Sequence, residues 1–457
     1  FKDSLYNLIS MIKNLGSPHL FVTLSCDETN WPEVAMMLSG CKYDEGIDKL
    51  KEPNWKNDVK HDPVLVIKHV EKRLNALFKY VIDNEKWLPL GAPVEDFFIR
   101  REFQQRGSIH FHILLWLKDF PDINDFGQRE KLLDYINNTI CTSLPDAESD
   151  PELFELVSRY QIHKHSKMYC IRKCSRCRFG FPFPPCGKTH FKASIGCQNI
   201  PHSGSFYVTK RSNRDGYVNS YNPVILRHWR GNMDIQIVNS AYGAAMYCAY
   251  YLNKAESDSL KQDLTNLISN VFKNEQNLNA QRRLFKIGSC VLRNRQMGSH
   301  EAGIKVTGND YVTMSRKVVK LNTMEPGDRY RKVKKFCEIR DLDENSTDIF
   351  EKNLYDYYLA RPACLENVSF FQFAQWYELS EPTKSGRGAE RLKLLKYDKY
   401  IKKRSKTEAI IRTPFFVKSS EKYYYNLLIL LLPHRDECEL KDGFDDAKKA
   451  FIAKRDK

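Results

Sequence analysis

The stretch FFIRREFQQRGSIHFHILLWL, Phe97 to Leu117, holds two apolar, aromatic-rich runs joined by QQRGS, in which Gly107 suits a turn. Two strands folded back on each other are expected. Along IHFHILLWL the alternation of a strand puts His110 and His112 on one face and Ile109, Phe111 and Ile113 on the other. Neutral imidazole is the commonest protein metal ligand, and two of them leave positions open for an acidic residue, water and a phosphate oxygen. In the preceding run Glu102 and Gln104 share a face. A loop with an odd number of residues would set Gln104 opposite His110 and Glu102 opposite His112, but the sequence does not fix that register. Glu102 is the preferred third ligand, because a carboxylate suits a hard divalent cation better than the amide of Gln104 does. A bare His-x-His is more often two unrelated polar residues on a half-exposed strand, so the rest of the chain has to decide.

The 457 residues are too many for one ordinary core. Hydrophobic residues make up 42% and charged residues 28%, the balance of a folded protein. Lys and Arg number 72 against 57 Asp and Glu, a formal charge of +15 that favours a polyanionic partner. Thirteen cysteines in so long a chain do not make a disulfide scaffold, and several cluster with histidines in a way that suits a reducing, intracellular setting. The most apolar run, NLLILLLP from Asn426, falls short of the ~20 residues needed to cross a bilayer, so no membrane anchor is expected.

Upstream of the hairpin, LFVTLSC (Leu20 to Cys26) reads as a strand and PVLVIKHVEKRLNALFKYVID (Pro63 to Asp83) as an amphipathic helix. Downstream, HKHSKMYCIRKCSRCRFGFP offers His163, His165, Cys170, Cys174 and Cys177, one more than a tetrahedral zinc requires. Cys186, His190 and Cys197 would complete such a site if the following loop folds back, and buried free cysteines are the bland alternative. An Ala-rich helix candidate, SAYGAAMYCAYYLNKAE, places Tyr247 and Tyr251 four residues apart on one face, with Lys254 a further turn along. Tyrosines at helical spacing are more often packing than chemistry. A phenol with a pKa near 10 becomes a nucleophile only beside a polarised substrate or a base, so this pair has chemical meaning only together with the histidines. From about residue 258 the pattern is mostly helical and basic.

The combination, in order, of FVTLSC with NWPEV, REFQQRGSIHFHILLWL, CRFGFP and YCAYYLNK resembles the Helitron transposases. Two later stretches, RRLFKIGSCVLRNRQMGSHEAG and STDIFEKNLYDYYLARPACLE, extend the likeness to about Tyr377. The resemblance implies an α+β fold: an HUH-type Rep core with an antiparallel sheet flanked by helices, a zinc-bearing insertion, and a helical C-terminal part. It implies residues 1–90 as an N-terminal subdomain, 91–258 as the endonuclease core with its Cys/His insertion at about 160–200, and 259–457 as the basic helical region. The family's metal pair falls on His110 and His112 and its two nucleophiles on Tyr247 and Tyr251, which leaves Tyr250 a bystander. Cys174 is then the spare among the five zinc candidates.

The implied activity is metal-dependent nicking and joining of single-stranded DNA, with Mg²⁺ or Mn²⁺ at the catalytic centre, structural Zn²⁺ in the insertion, and residence in the nucleus. The family also carries a superfamily 1 helicase, expected in a full-length protein. These 457 residues hold no GxxxxGK[ST] phosphate loop, so ATP is expected to have no effect on this chain. Two other readings fit the same residues: an HUH replication initiator of a virus or plasmid, and a non-catalytic zinc-bearing binder of single-stranded DNA.

Overall fold

The computed structural model describes residues 2–83, 86–103, 108–167, 170–171, 176–192, 206–239, 298–343, 345–381 and 391–455, with Gly243, Ser269 and Arg282 singly. These fall into two compact units, Gly16–Ser315 and Lys2–Leu15 with Arg316–Lys457.

The N-terminal helix α1 (Lys2–Leu15) belongs to the second unit. The first unit runs through β1 (Leu20–Ser25), α2 (Pro32–Ser39), α3 (Tyr43–Lys49), α4 (Trp55–His61) and α5 (Pro63–Leu77), then β2 (Val94–Phe103) and β3 (Ile109–Leu117). It continues with α6 (Arg129–Thr139), α7 (Pro151–Tyr160), β4 (His190–Phe191), β5 (Tyr207–Val208), α8 (Pro223–Trp229), β6 (Met233–Ile237), α9 (Ser299–Thr307) and β7 (Val312–Met314). Five of these strands form one sheet in the order β6-β1-β3-β2-β7, and every neighbouring pair in it is antiparallel. The expected hairpin is therefore the middle of the sheet, with β3 between β1 and β2.

Strand alternation gives this sheet two unlike faces. Leu20, Val22 and Leu24 of β1 and Ile109, Phe111, Ile113 and Leu115 of β3 are buried in one core with Val66, Ile67, Val70 and Leu74 of α5. Each such side chain contributes ~1.5–3 kcal/mol by leaving water. The helix expected over Pro63 to Asp83 forms: Pro63 starts it, the Asp62 carboxylate accepts from the Leu65 N–H, and its last turn, Phe78–Ile82, widens to a π-helix. One ion pair crosses this apolar layer. Arg101 of β2 forms a two-pronged pair with Glu71 of α5, at 2.5 and 2.7 Å, and also donates to Thr313 Oγ1. The opposite face of the sheet carries Thr23, Ser25, Arg100, Glu102, His110, His112 and Asp234.

In the second unit, Tyr355, Tyr357 and Tyr358 of the stretch STDIFEKNLYDYYLARPACLE are buried in one cluster. Arg361 is fully buried there and donates to the carbonyls of Tyr358, Leu365, Glu366 and His434, which satisfies its guanidinium without a carboxylate inside the core. Among the described residues, the region expected to be mostly helical also holds short strands that the sequence did not announce. Tyr377–Ser380, Arg391–Lys393 and Tyr400–Lys403 form a three-stranded sheet, and Val318–Lys320 pairs in parallel with Ile410–Arg412. Strands of three or four residues are too short to impose an alternation that the sequence displays. Among the described residues, no helix is long and apolar enough to cross a membrane.

Candidate metal centre and Cys/His cluster

Register decides what His110 and His112 face. Glu102 stands directly opposite His110, and Arg100 opposite His112. The pairing with Glu102 opposite His112, one of the two possibilities weighed from the sequence, is not the one formed. The carboxylate nonetheless reaches diagonally to the other histidine, with Glu102 Oε2 2.7 Å from His112 Nε2. Glu102 and His112 are both buried, while His110 is half-buried. Gln104, the alternative ligand, lies outside the described residues.

The other neighbour, β1, holds the far side of each imidazole. Thr23 and Ser25 pair with His112 and His110 respectively. Thr23 Oγ1 lies 3.3 Å from His112 Nδ1, and Ser25 Oγ lies 3.0 Å from His110 Nδ1. A hydroxyl both donates and accepts, so these contacts survive whichever nitrogen carries the proton. With each Nδ1 engaged by β1, the Nε2 atoms are the ones turned to a ligand. Reasoning from sequence missed this role. Its signal was present in LFVTLS, where the only hydroxyl-bearing residues occupy the face that the leucines and valine avoid.

The Ser25 end of β1 is fixed by close packing. Trp229 Nε1 donates to Ser25 O, Trp31 Nε1 donates to Arg230 O, and the two indoles meet edge to face at 5.5 Å. Gly231 follows directly. A Cβ there would lie 2.4 Å from Ser25 O, so only glycine fits without moving the strand. Asp234 of β6, opposite Thr23, accepts from Ser220 and Gln236, and burial raises its pKa above the usual carboxylate value. Tyr160 donates its hydroxyl to Asp27, and burial together with that carboxylate pushes its pKa up, the opposite of what a phenol nucleophile needs.

The donor set of two imidazoles and a carboxylate suits a divalent cation such as Mg²⁺ or Mn²⁺. His112 Nε2 and Glu102 Oε2 are hydrogen-bonded to each other at 2.7 Å, and a cation with bonds of ~2.1 Å would replace that bond with a ligand edge of about 3.0 Å, a small opening. His110 does not draw in as tightly. Among the described residues, ligand atoms of three or more His, Cys, Asp or Glu gather within 4.8 Å of one another at one place, the quartet His163, His165, Cys170 and Cys177.

That quartet is four of the five residues singled out from the sequence, and the fifth, Cys174, lies outside the described residues. Cys177 Sγ is 3.4 Å from His163 Nε2 and Cys170 Sγ is 3.6 Å from His165 Nδ1. A tetrahedral zinc with bonds of ~2.3 Å to sulfur and ~2.05 Å to nitrogen sets those separations at about 3.6 Å. The Ser166 N–H donates to Cys170 Sγ at 3.1 Å, which holds the sulfur in place beside His165. Phe181 stacks on His163 at 4.4 Å, and burial with the neighbouring His165 lowers the pKa of His163, which keeps it in the neutral form that binds metals. Cys186 and His190 approach each other at 3.5 Å and do not join the quartet. Cys197, the third member of that alternative, lies outside the described residues, as do Tyr247, Tyr250, Tyr251 and Lys254.

Residues 2–115 match the family described as "Helitron helicase-like domain at N-terminus". That span is about a quarter of the chain, and over it the chain is similar to this Helitron family; it includes Thr23, Ser25, Glu102, His110 and His112. No curated protein matches the chain.

Proposed function

We propose that this chain is a metal-dependent endonuclease and strand transferase acting on single-stranded DNA, of the HUH class and serving a Helitron-type transposon in the nucleus. The observation that carries this reading is the placement of His112 against Glu102, with His110 on the same face and both Nδ1 atoms held from β1. The Helitron-related match over residues 2–115 supports it. His110, His112 and Glu102 would hold the Mg²⁺ or Mn²⁺, which when bound lowers the negative charge of a phosphate oxygen and so eases attack at phosphorus. Thr23 and Ser25 orient the imidazoles. Tyr247 or Tyr251 supplies the nucleophile: its phenol oxygen forms a bond to phosphorus, the bond to the 3′ oxygen breaks, and that oxygen leaves as a free hydroxyl. Lys254 supplies a cation beside the phenolate or the phosphate. The phosphotyrosine bond stores the energy of the cleaved link, so rejoining needs no ATP. His163, His165, Cys170 and Cys177 hold a structural Zn²⁺ in the same reading. A superfamily 1 helicase domain belongs with this activity in a full-length protein.

The test is incubation with a labelled single strand and Mn²⁺, followed by a denaturing gel and mass spectrometry of any adduct. The expected result is a covalent adduct on Tyr247 or Tyr251, lost in Tyr247→Phe/Tyr251→Phe, in His112→Ala and in EDTA, and kept in Tyr250→Phe. An adduct on another tyrosine, or full nicking by His110→Ala/His112→Ala in chelator, would overturn it. Absence of any adduct with binding intact would favour the non-catalytic binder.

A further inference from the structure

The Cys/His segment carries more surface chemistry than a structural metal needs. Between Leu156 and Arg214 the sequence has twelve Lys and Arg and no Asp or Glu, so this one segment holds a surplus comparable with the +15 of the whole chain. A basic face that served only solubility would have no use for aromatic rings. Here Phe179, Phe183 and Tyr217 are 47%, 37% and 40% exposed. They are joined through the candidate ligands: Phe179 and Phe181 pack on His163, Phe183 packs on Phe181, and Tyr217 packs on His165. The exposed Arg178 lies over Phe179 at 4.5 Å, while Arg211, 4.7 Å over Phe183, is buried and donates to the carbonyls of Asp215 and Val218, so it braces the ring from within. Gly180, with φ +83°, makes the turn between the two phenylalanines, and a Cβ there would meet the Phe183 ring at 3.4 Å.

Cations and ring faces together match a ligand that shows phosphates and unpaired bases at once, whereas a duplex hides its base faces. We propose that the outer face of this module, built on Phe179, Phe183, Tyr217 and Arg178, is a stacking platform for single-stranded DNA. The proposal rests on the reading of the chain as a single-strand nuclease and adds where the strand is gripped. The platform is tied to the histidine end of the sheet. Ser25, which holds His110, donates its N–H to Asn232 O at 2.8 Å, and the Asn232 amide donates to Tyr160 O at 2.6 Å, three residues ahead of His163. The His163 N–H in turn donates to Tyr217 O.

The experiment is fluorescence anisotropy of the whole chain with a labelled oligothymidylate of about 20 nucleotides, titrated at several salt concentrations. Phe179→Leu/Phe183→Leu keeps apolar bulk and removes the ring faces. It is expected to weaken binding roughly ten-fold or more with the salt slope unchanged, because stacking releases no counterions. Arg178→Gln is expected to lower the slope by about one. Zinc content and melting temperature should match the parent chain, and duplex affinity should change little. Undiminished oligothymidylate affinity in the double leucine variant, or an equal loss for duplex, overturns the platform. His112→Ala separates the two readings. If it still nicks while the leucine variants lose binding, the nuclease assignment fails and the platform stands; normal binding by the leucine variants with nicking lost in His112→Ala gives the reverse.

Discussion

Removing the β1 hydroxyls should weaken metal binding unequally, and the inequality is the informative part. Thr23→Val deletes one oxygen and keeps the shape, which leaves His112 Nδ1 without the contact now made at 3.3 Å. His112 is buried, so water does not replace the hydroxyl, and an unsatisfied buried donor costs ~1–3 kcal/mol. That corresponds to roughly a 5- to 150-fold loss of Mn²⁺ affinity, the range in which outer-shell partners of metal-bound histidines usually fall. Ser25→Ala removes the shorter bond, 3.0 Å, but from a half-buried ring that water can reach. Its expected loss is smaller, about 2- to 5-fold, at the low end for a net hydrogen bond. Thr23→Ser should restore most of the affinity. The assay is calorimetric titration of the purified chain with Mn²⁺, paired with nicking at saturating metal, where both variants should recover most of the parent rate. A larger loss in Ser25→Ala than in Thr23→Val would refute the burial argument. Unchanged metal affinity with slower nicking at saturation would mean that the hydroxyls act on DNA instead.

Three further expectations are structural. Glu71→Ala strands the Arg101 guanidinium in the core, and urea unfolding should show a loss of ~3–5 kcal/mol, whereas Glu71→Ala/Arg101→Met should recover much of it. Gly231→Ala presses a methyl group against Ser25 O, so it should cost ~1–3 kcal/mol in the same measurement and slow nicking by shifting the strand that holds His110; an unchanged crystal position of Ser25 would count against this. Cys170→Ser or Cys177→Ser should abolish zinc in elemental analysis and speed proteolysis between Gln161 and Tyr217, and stoichiometric zinc in either variant would remove that cysteine from the ligand set.

The faces of the central strands were legible because a period of two is visible in nine residues. His110 and His112 share a face, and Leu20, Val22 and Leu24 share the other, as alternation requires. What alternation does not give is which residue stands opposite which. The contact from Glu102 to His112 runs diagonally across a pair in which Glu102 faces His110, and only the three-dimensional register shows it. The Cys/His quartet was legible from ligand density within one short segment. The face of Thr23 and Ser25 was legible in LFVTLS, but not what they hold, because their partners lie more than eighty residues away. The short strands of the second unit escaped for the opposite reason: three residues are too few to display any period.

The three strands that carry the site, β1, β3 and β2, are all interior to the sheet, flanked by β6 on one side and β7 on the other. Fraying begins at edges and ends, so the amides of β3 should exchange with solvent only when the unit opens as a whole. The lifetime of the folded unit then sets the shortest time over which the histidines can come apart. In the proposed reading, where a cut DNA end is held through a phosphotyrosine, that is a form of custody. The cut end would then stay beside the groups proposed to reseal it for as long as the fold endures.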